Sequence, residues 1–231
     1  MLKRSEAYIG VLIDDLVAKG TEEPYRMFTS RAEHRILLRQ DNADLRLTEK
    51  GYQLGLATKD RLDRMHQKRD AIMSTVKKLR STSIKPDVVN DYLIRVNTSR
   101  IENSERIAKV ALRPEVSLRE MLDETGLADD VVTPGPGVED VATLVEIDLK
   151  YEGYLAREAE MVTKMERLEE MPIPESMDYH SLNNITMEAR EKLHRIQPSN
   201  LGQASRISGV SPADVSVLMV LIKKKNRVTS A

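Results

Sequence analysis

The chain has 231 residues, 40% of them hydrophobic, with no cysteine, no tryptophan, seven tyrosines and one phenylalanine. That is room for one large domain or two small ones around a core of Leu, Ile, Val and Met, and it excludes disulfides, thiolate metal sites and cysteine nucleophiles within the chain. The formal net charge of −1 hides an acidic stretch, with 16 acidic and 5 basic residues from Glu115 to Glu170, and a basic end, with 8 basic and 3 acidic residues from Thr186 to Ala231.

In chain order, Ser5 can cap a helix carrying Tyr8, Ile9, Leu12, Ile13, Leu16 and Val17 at helical spacing, stopped by Gly20. Ser30-Arg31-Ala32-Glu33 reads as a capping box that starts a short helix from Arg31 to Arg39. Residues 41–44 mark a turn, and Thr48 or Glu49 begins another short helix ending near Gly55. Thr58 caps a long amphipathic helix with Leu62, Met65, Ile72, Met73, Val76 and Leu79 on one face. Pro86 suits the first turn of the next helix, and shorter helices are expected over Asp87–Arg95 and Ser104–Ala111. Ser117-Leu118-Arg119-Glu120 is a second capping box, and Asp129–Gly137 is the clearest loop. A long helix from Glu139 to Glu169 follows, ended by Pro172 and Pro174. The tail reads as three helices: Thr186–Ile196, Asn200–Ser208 and Pro212–Lys225. No alternating strand pattern stands out. The expected fold is mainly α: an irregular multi-helix domain ending in a small C-terminal three-helix subdomain. The expected divisions are residues 1–57, 58–174 and 175–231.

The segment Glu23–Leu47 holds five arginines, Arg26, Arg31, Arg35, Arg39 and Arg46. On a helix, Arg31, Arg35 and Arg39 form one stripe. Guanidinium groups so spaced suit phosphate or carboxylate. Interleaved Glu33, Asp41, Asp44 and Glu49 could instead neutralise them, which would make the motif an architectural clamp. The residues leave ligand site and clamp at even odds. His34, on the same expected helix, reads as a packed or surface residue more readily than as a phosphate contact. Asp14 and Asp15 are unusual in an apolar helix. A buried carboxylate there needs a cation, for which a motif arginine is a candidate, although both acids on the solvent edge is the favoured reading.

At the other end, Leu201–Pro212 reads as two short helices joined by a turn at Gly209, a pairing that could present backbone amides and Arg206 together. Lys223, Lys224, Lys225 and Arg227 extend a basic surface. The basic end could attract phosphate, whereas the acidic stretch is read as solvated helix faces. With so few aromatics, contact with a nucleic acid would be electrostatic rather than by base stacking. No nucleotide-phosphate loop is encoded, no metal-ligand spacing joins the four histidines, and no catalytic constellation emerges. No apolar run approaches the roughly 20 residues that span a bilayer, and no signal peptide is visible, so a cytoplasmic protein is expected.

Arg4–Leu16 (RSEAYIGVLIDDL), Glu23–Leu56, Lys150–Arg157 (KYEGYLAR) and Leu201–Lys224 together resemble the C-terminal part of the GidA/MnmG family, FAD-dependent tRNA uridine 5-carboxymethylaminomethyl modification enzymes. The matches keep the family's order along nearly the whole chain, while Leu62–Glu146 adds little. The resemblance implies an FAD-binding domain with a dinucleotide (NAD) insertion, a homodimer, and joint action with the GTPase MnmE on the wobble uridine of tRNA. FAD would be held mainly by that other domain, and the flavin-binding glycine motif and catalytic cysteines are expected upstream. The helical C-terminal region is implied to dock MnmE and bind tRNA. Arg26, Arg31, Arg35, Arg39 and Arg46 become candidates for tRNA contact or the active-site wall. Arg206, Lys223, Lys224 and Lys225 become candidates for an RNA or partner surface. The alternative is a module that docks MnmE without touching tRNA. The family usually has tyrosine where His34 stands.

Overall fold

The computed structural model describes residues 2–19, 26, 34–135 and 141–229, without the side chains of residues 18, 19 and 225–229. In chain order the described elements are α1 (Tyr8–Lys19), α2 (Ala43–Gln53), α3 (Lys59–Ser81), β1 (Ser83–Ile84), α4 (Pro86–Arg95), β2 (Glu105–Arg106), α5 (Ile107–Ala111), α6 (Leu118–Thr125), α7 (Ala128–Val131), α8 (Val141–Glu169), α9 (Met187–Ile196), α10 (Leu201–Ser205) and α11 (Pro212–Thr229). The mainly α expectation holds. The chain packs as two compact units, a terminal one made of Met1–Leu38 with Arg157–Ala231 and a central one made of Arg39–Ala156.

The central unit follows from its caps and its apolar face. The Thr58 side chain accepts from the Arg61 amide and starts α3, and Ser117 accepts from the Glu120 amide and starts α6. Pro86 sits in the first turn of α4, where its missing N–H costs nothing. The apolar faces of α3 to α8 close over Leu79, Ile84, Leu93, Ile107, Leu118, Met121 and Leu122, all essentially inaccessible. Tyr92 lies under this layer. Its hydroxyl donates to the Ser117 carbonyl at 3.1 Å and accepts from the Ser117 amide at 2.9 Å, so its polar atom is satisfied. Burial pushes the phenol up from its ordinary value.

Several expectations need correction. The helix placed at Thr48 or Glu49 begins at Ala43, so Asp44 lies in its first turn, where a carboxylate complements the helix dipole. The helix expected from Ser104 starts at Ile107, because Glu105 and Arg106 pair antiparallel with Ile84 and Ser83. Two residues per strand are too few to show an alternation in sequence. The loop expected from Asp129 opens with α7, and residues 136–140 lie outside the described set. The helix expected over Arg31–Arg39 is not formed where it can be seen. The Leu37 and Leu38 amides both donate to the His34 carbonyl, giving a single turn, and Arg39 is non-helical. The capping box at Ser30 and Glu33 falls outside the described residues, as does Arg31.

The terminal unit holds the three expected tail helices. Thr186 caps α9 and Asn200 caps α10, each through its side chain. Ser211 and Asp214 cap α11 reciprocally. The Asp214 amide donates to Ser211 Oγ at 3.2 Å, and the Ser211 amide donates to Asp214 Oδ2 at 2.9 Å. Tyr179, Leu193, Leu201, Leu218 and Ile222 form the centre of the core. Among the described residues no helix is long and apolar enough to cross a membrane.

Candidate functional site

Two of the sequence-predicted arginines are spent inside the central unit. Arg39 Nε donates to both Asp41 carboxylate oxygens at 3.0 and 3.1 Å, and its Nη2 reaches Asp148 on α8 at 3.1 Å. Burial works against this charge, but the two carboxylates outweigh it and hold the guanidinium above its ordinary value. Arg46 donates to Asn42 Oδ1 at 2.8 Å and to the Arg39 carbonyl at 3.1 Å. Lys68 of α3 completes the clasp on Asp44 and on the Asp41 carbonyl. Residues 39–46 are therefore a cross-linked turn in which both arginines are engaged and Arg39 is paired with carboxylates. Arg26 and Arg35 are exposed. Of the expected stripe, Arg35 lies in the turn after His34, Arg39 faces carboxylates, and Arg31 falls outside the described residues.

The terminal unit holds a second charged cluster, and sequence reasoning missed most of it. Asp15 is buried, not on the solvent edge, and Arg4 is a cation that meets it. Arg4 Nη1 lies 2.9 Å from Asp15 Oδ1 and 2.9 Å from Asp14 Oδ2, and it also donates to the Val11 carbonyl at 3.3 Å. Arg206 meets Asp14 from the other side, with Nη2 to Oδ1 at 3.1 Å, and donates through Nη1 to Glu169 Oε1 at 3.0 Å. Its Nε is 3.0 Å from Asp14 Oδ2 but is not aligned to donate, so that contact is ionic only. Arg206 is 7% exposed. It is a tie between α1, the end of α8 and α10. Gly202 makes the tie possible, because a Cβ there would stand 2.5 Å from Glu169 Cγ.

His34 extends the cluster. It is buried, and its Nδ1 sits 2.7 Å from Glu158 Oε1 on α8. Glu158, Val162, Met165, Glu166 and Glu169 recur at three- and four-residue steps, so this face of α8 receives His34, Lys3 and Arg206. A cavity of about 10 Å³ lined by Arg4, Ser5, His34, Val162, Met165, Glu166 and Glu169 has room for roughly one water. The acidic stretch is thus only partly a solvated face. In the central unit Glu146 accepts from the Leu118 amide at 2.7 Å and from Lys150, and Glu152 pairs with Arg80.

The C-terminal candidates divide differently. Lys223 and Lys224 are exposed on α11, and the Lys225 side chain lies outside the described residues. On the same helix Val217, Val220 and Leu221, with Ser216 and Asn184, line an open groove of about 310 Å³. Sequence reasoning missed this groove, although its signal is present: α11 carries one apolar row at Val215, Leu218 and Ile222 and a second at Val217, Val220 and Leu221. Among the described residues no group of three or more His, Cys, Asp or Glu is placed to hold a metal.

Comparison with known proteins places these features. Residues 59–159 match the model of the tRNA modifying enzyme MnmG/GidA C-terminal helical domain, and residues 161–231 match that of the MnmG/GidA C-terminal helical bundle. The tRNA uridine 5-carboxymethylaminomethyl modification enzyme MnmG of Salinibacter ruber is 58% identical over 225 residues, covering 97% of this chain and 34% of that protein. The enzyme of the same name from Alkaliphilus metalliredigens is 46% identical over 229 residues, covering 98% of this chain and 35% of that protein. The chain therefore spans about a third of the length of the curated relatives it matches. Aquifex aeolicus GidA in its form II crystal superposes with a TM-score of 0.71 at 36% identity, over 96% of this chain and 33% of that one.

Proposed function

This chain belongs to the MnmG/GidA family of tRNA modifying enzymes, and from that premise we propose that it is the tRNA- and MnmE-binding helical region of a flavoenzyme that adds a carboxymethylaminomethyl group to the wobble uridine, itself non-catalytic. FAD would be held by the part of the enzyme that this chain does not span, and the whole enzyme would act as a homodimer. The observation that carries the reading is the contrast among cations. Arg39, Arg46 and Arg206 are engaged internally, whereas Arg35, Lys223 and Lys224 face solvent and can meet a phosphate backbone. RNA contact is therefore assigned to Arg35 and the end of α11, with Arg26, Arg31 and Lys225 as further candidates. Arg39, Arg46 and Arg206 are assigned to architecture.

The test is tRNA binding by the full-length enzyme as salt is raised. K223A/K224A should weaken binding across tRNA sequences and lower the salt slope by roughly one for each phosphate that a lysine no longer neutralises. R39A should lower thermal stability and leave the slope alone. An unchanged slope in K223A/K224A and in R35A would overturn the RNA assignment. The apolar groove on α11 supports a second reading, a module that docks MnmE without touching tRNA. Retention of MnmE by this chain with no shift of tRNA on a native gel would favour that reading.

A further inference from the structure

The second apolar row of α11 is only partly used by the fold: Val217 packs at the edge of the core, while Val220 is left exposed. Val215, Leu218 and Ile222 fill the core of the terminal unit, and a helix needs only one such row to hold its place. Val217, Val220, Leu221 and Lys224 recur at the i, i+3, i+4, i+7 spacing of another face. Val220 is 64% exposed, and the groove beside it is walled by Val217 and Leu221. Asn184, also in its lining, is exposed, and its carboxamide has no hydrogen-bond partner among the described residues. Lys223 and Lys224, which follow in the next turn of the helix, are exposed.

We propose that this groove is a docking site for an acidic amphipathic helix of a partner protein. The proposal rests on the partner-docking part of the reading above and specifies its chemistry. A groove of this size lined by valine and leucine accepts two or three aliphatic side chains at helical spacing. The two lysines select carboxylates on the flank of the incoming helix and speed its encounter. RNA is the poorer occupant, because none of the lining residues is aromatic and a base has nothing to stack on.

The experiment uses the 231-residue chain and a fluorescein-labelled, helix-stapled 15-residue peptide. Its leucines stand at i, i+3 and i+7, with glutamates on both flanks, and a control peptide has lysines in place of the glutamates. The acidic peptide should bind saturably, and at least tenfold more tightly than the control. V220D, at an exposed position, should weaken it at least tenfold with an unchanged circular dichroism melt. K223E/K224E should reverse the preference between the two peptides, which tests the site without touching the apolar row. Equal binding of both peptides, or full binding by V220D, overturns the proposal. A concentration-dependent dimer in sedimentation that V220D dissolves also overturns it, by making a second copy the occupant. Loss of tRNA binding in V220D, which leaves both lysines in place, overturns it in favour of RNA. The salt slope of tRNA binding is a separate measurement, so loss of the groove and loss of the RNA assignment are told apart.

Discussion

The two units hold themselves together by different means. The central unit has an apolar centre, in which Thr48 and Thr75 are the buried polar residues among those described and Tyr92 has its hydroxyl satisfied. The terminal unit has a smaller apolar centre and, beside it, buried Arg4, Asp15, His34, Glu158 and Asp214, with Arg206 nearly as enclosed. Apolar burial is non-directional and tolerates small shifts. A buried ion pair tolerates few, because each charge depends on its partner for the solvation it gave up. The central unit is thus built for bulk stability, while the terminal unit fixes where α1, α8 and α10 meet. That division suits a region whose proposed binding surfaces lie on the terminal unit and must be presented in one geometry.

The comparison can be broken most severely at Asp15. Asp15→Ala takes one carboxylate from the buried Arg4 guanidinium, and should cost about 3–5 kcal/mol in urea unfolding. Replacing Arg4 and Asp15 together by leucine or methionine should recover much of that loss, since the buried pair is removed as a unit. A loss below about 1 kcal/mol for Asp15→Ala would mean that water or Asp14 solvates Arg4 well enough, and the contrast between the units would fail. Leu93→Ala is the matching change in the central unit. Leu93 is fully buried, so the expected cost is about 2–5 kcal/mol, from lost transfer energy plus the cavity. The two variants should differ in kind as well as size. The double replacement rescues the first, and no charge change rescues the second.

The long helices were legible because their period repeats: α3, α8 and α11 each carry apolar residues at three- and four-residue steps, and Thr58, Ser117 and Thr186 mark helix starts by local hydrogen bonds. The charged cluster was not legible, because its partners are remote in sequence. Arg206 meets Asp14 across 192 residues and His34 meets Glu158 across 124. Composition showed an excess of acid in α8 but not the partner of each carboxylate. The arginine motif misled for a related reason. A four-residue spacing gives a stripe only if the helix continues, and at His34 the chain makes one turn and then bends to let Arg39 reach Asp41 and Asp148. The groove on α11 was visible as a second apolar row, but a row alone does not say whether it faces the core.

The smallest expected effect lies at Asp214, where the terminal unit relies on hydrogen bonds rather than an ion pair. Desolvation pushes this carboxyl up. The Ser211 hydroxyl, the Thr186 and Ser211 amides and the Thr186 hydroxyl more than offset it, so the native pKa lies below the ordinary carboxylate value. A carboxyl lowered in this way binds fewer protons folded than unfolded. Its contribution is therefore complete above the unfolded pKa, near pH 4, and is lost as pH falls through the native value. Asp214→Asn keeps the shape, removes the charge, and replaces one acceptor oxygen by a donor that faces the Ser211 and Thr186 groups. It should cost about 1–3 kcal/mol at neutral pH. Below the native pKa the wild type has lost the same contribution, so the two acid-unfolding curves should converge. A constant gap from pH 7 to pH 2 would show that the loss is steric, and would leave α9 and α11 joined by packing rather than by the shared acceptor at their first turns.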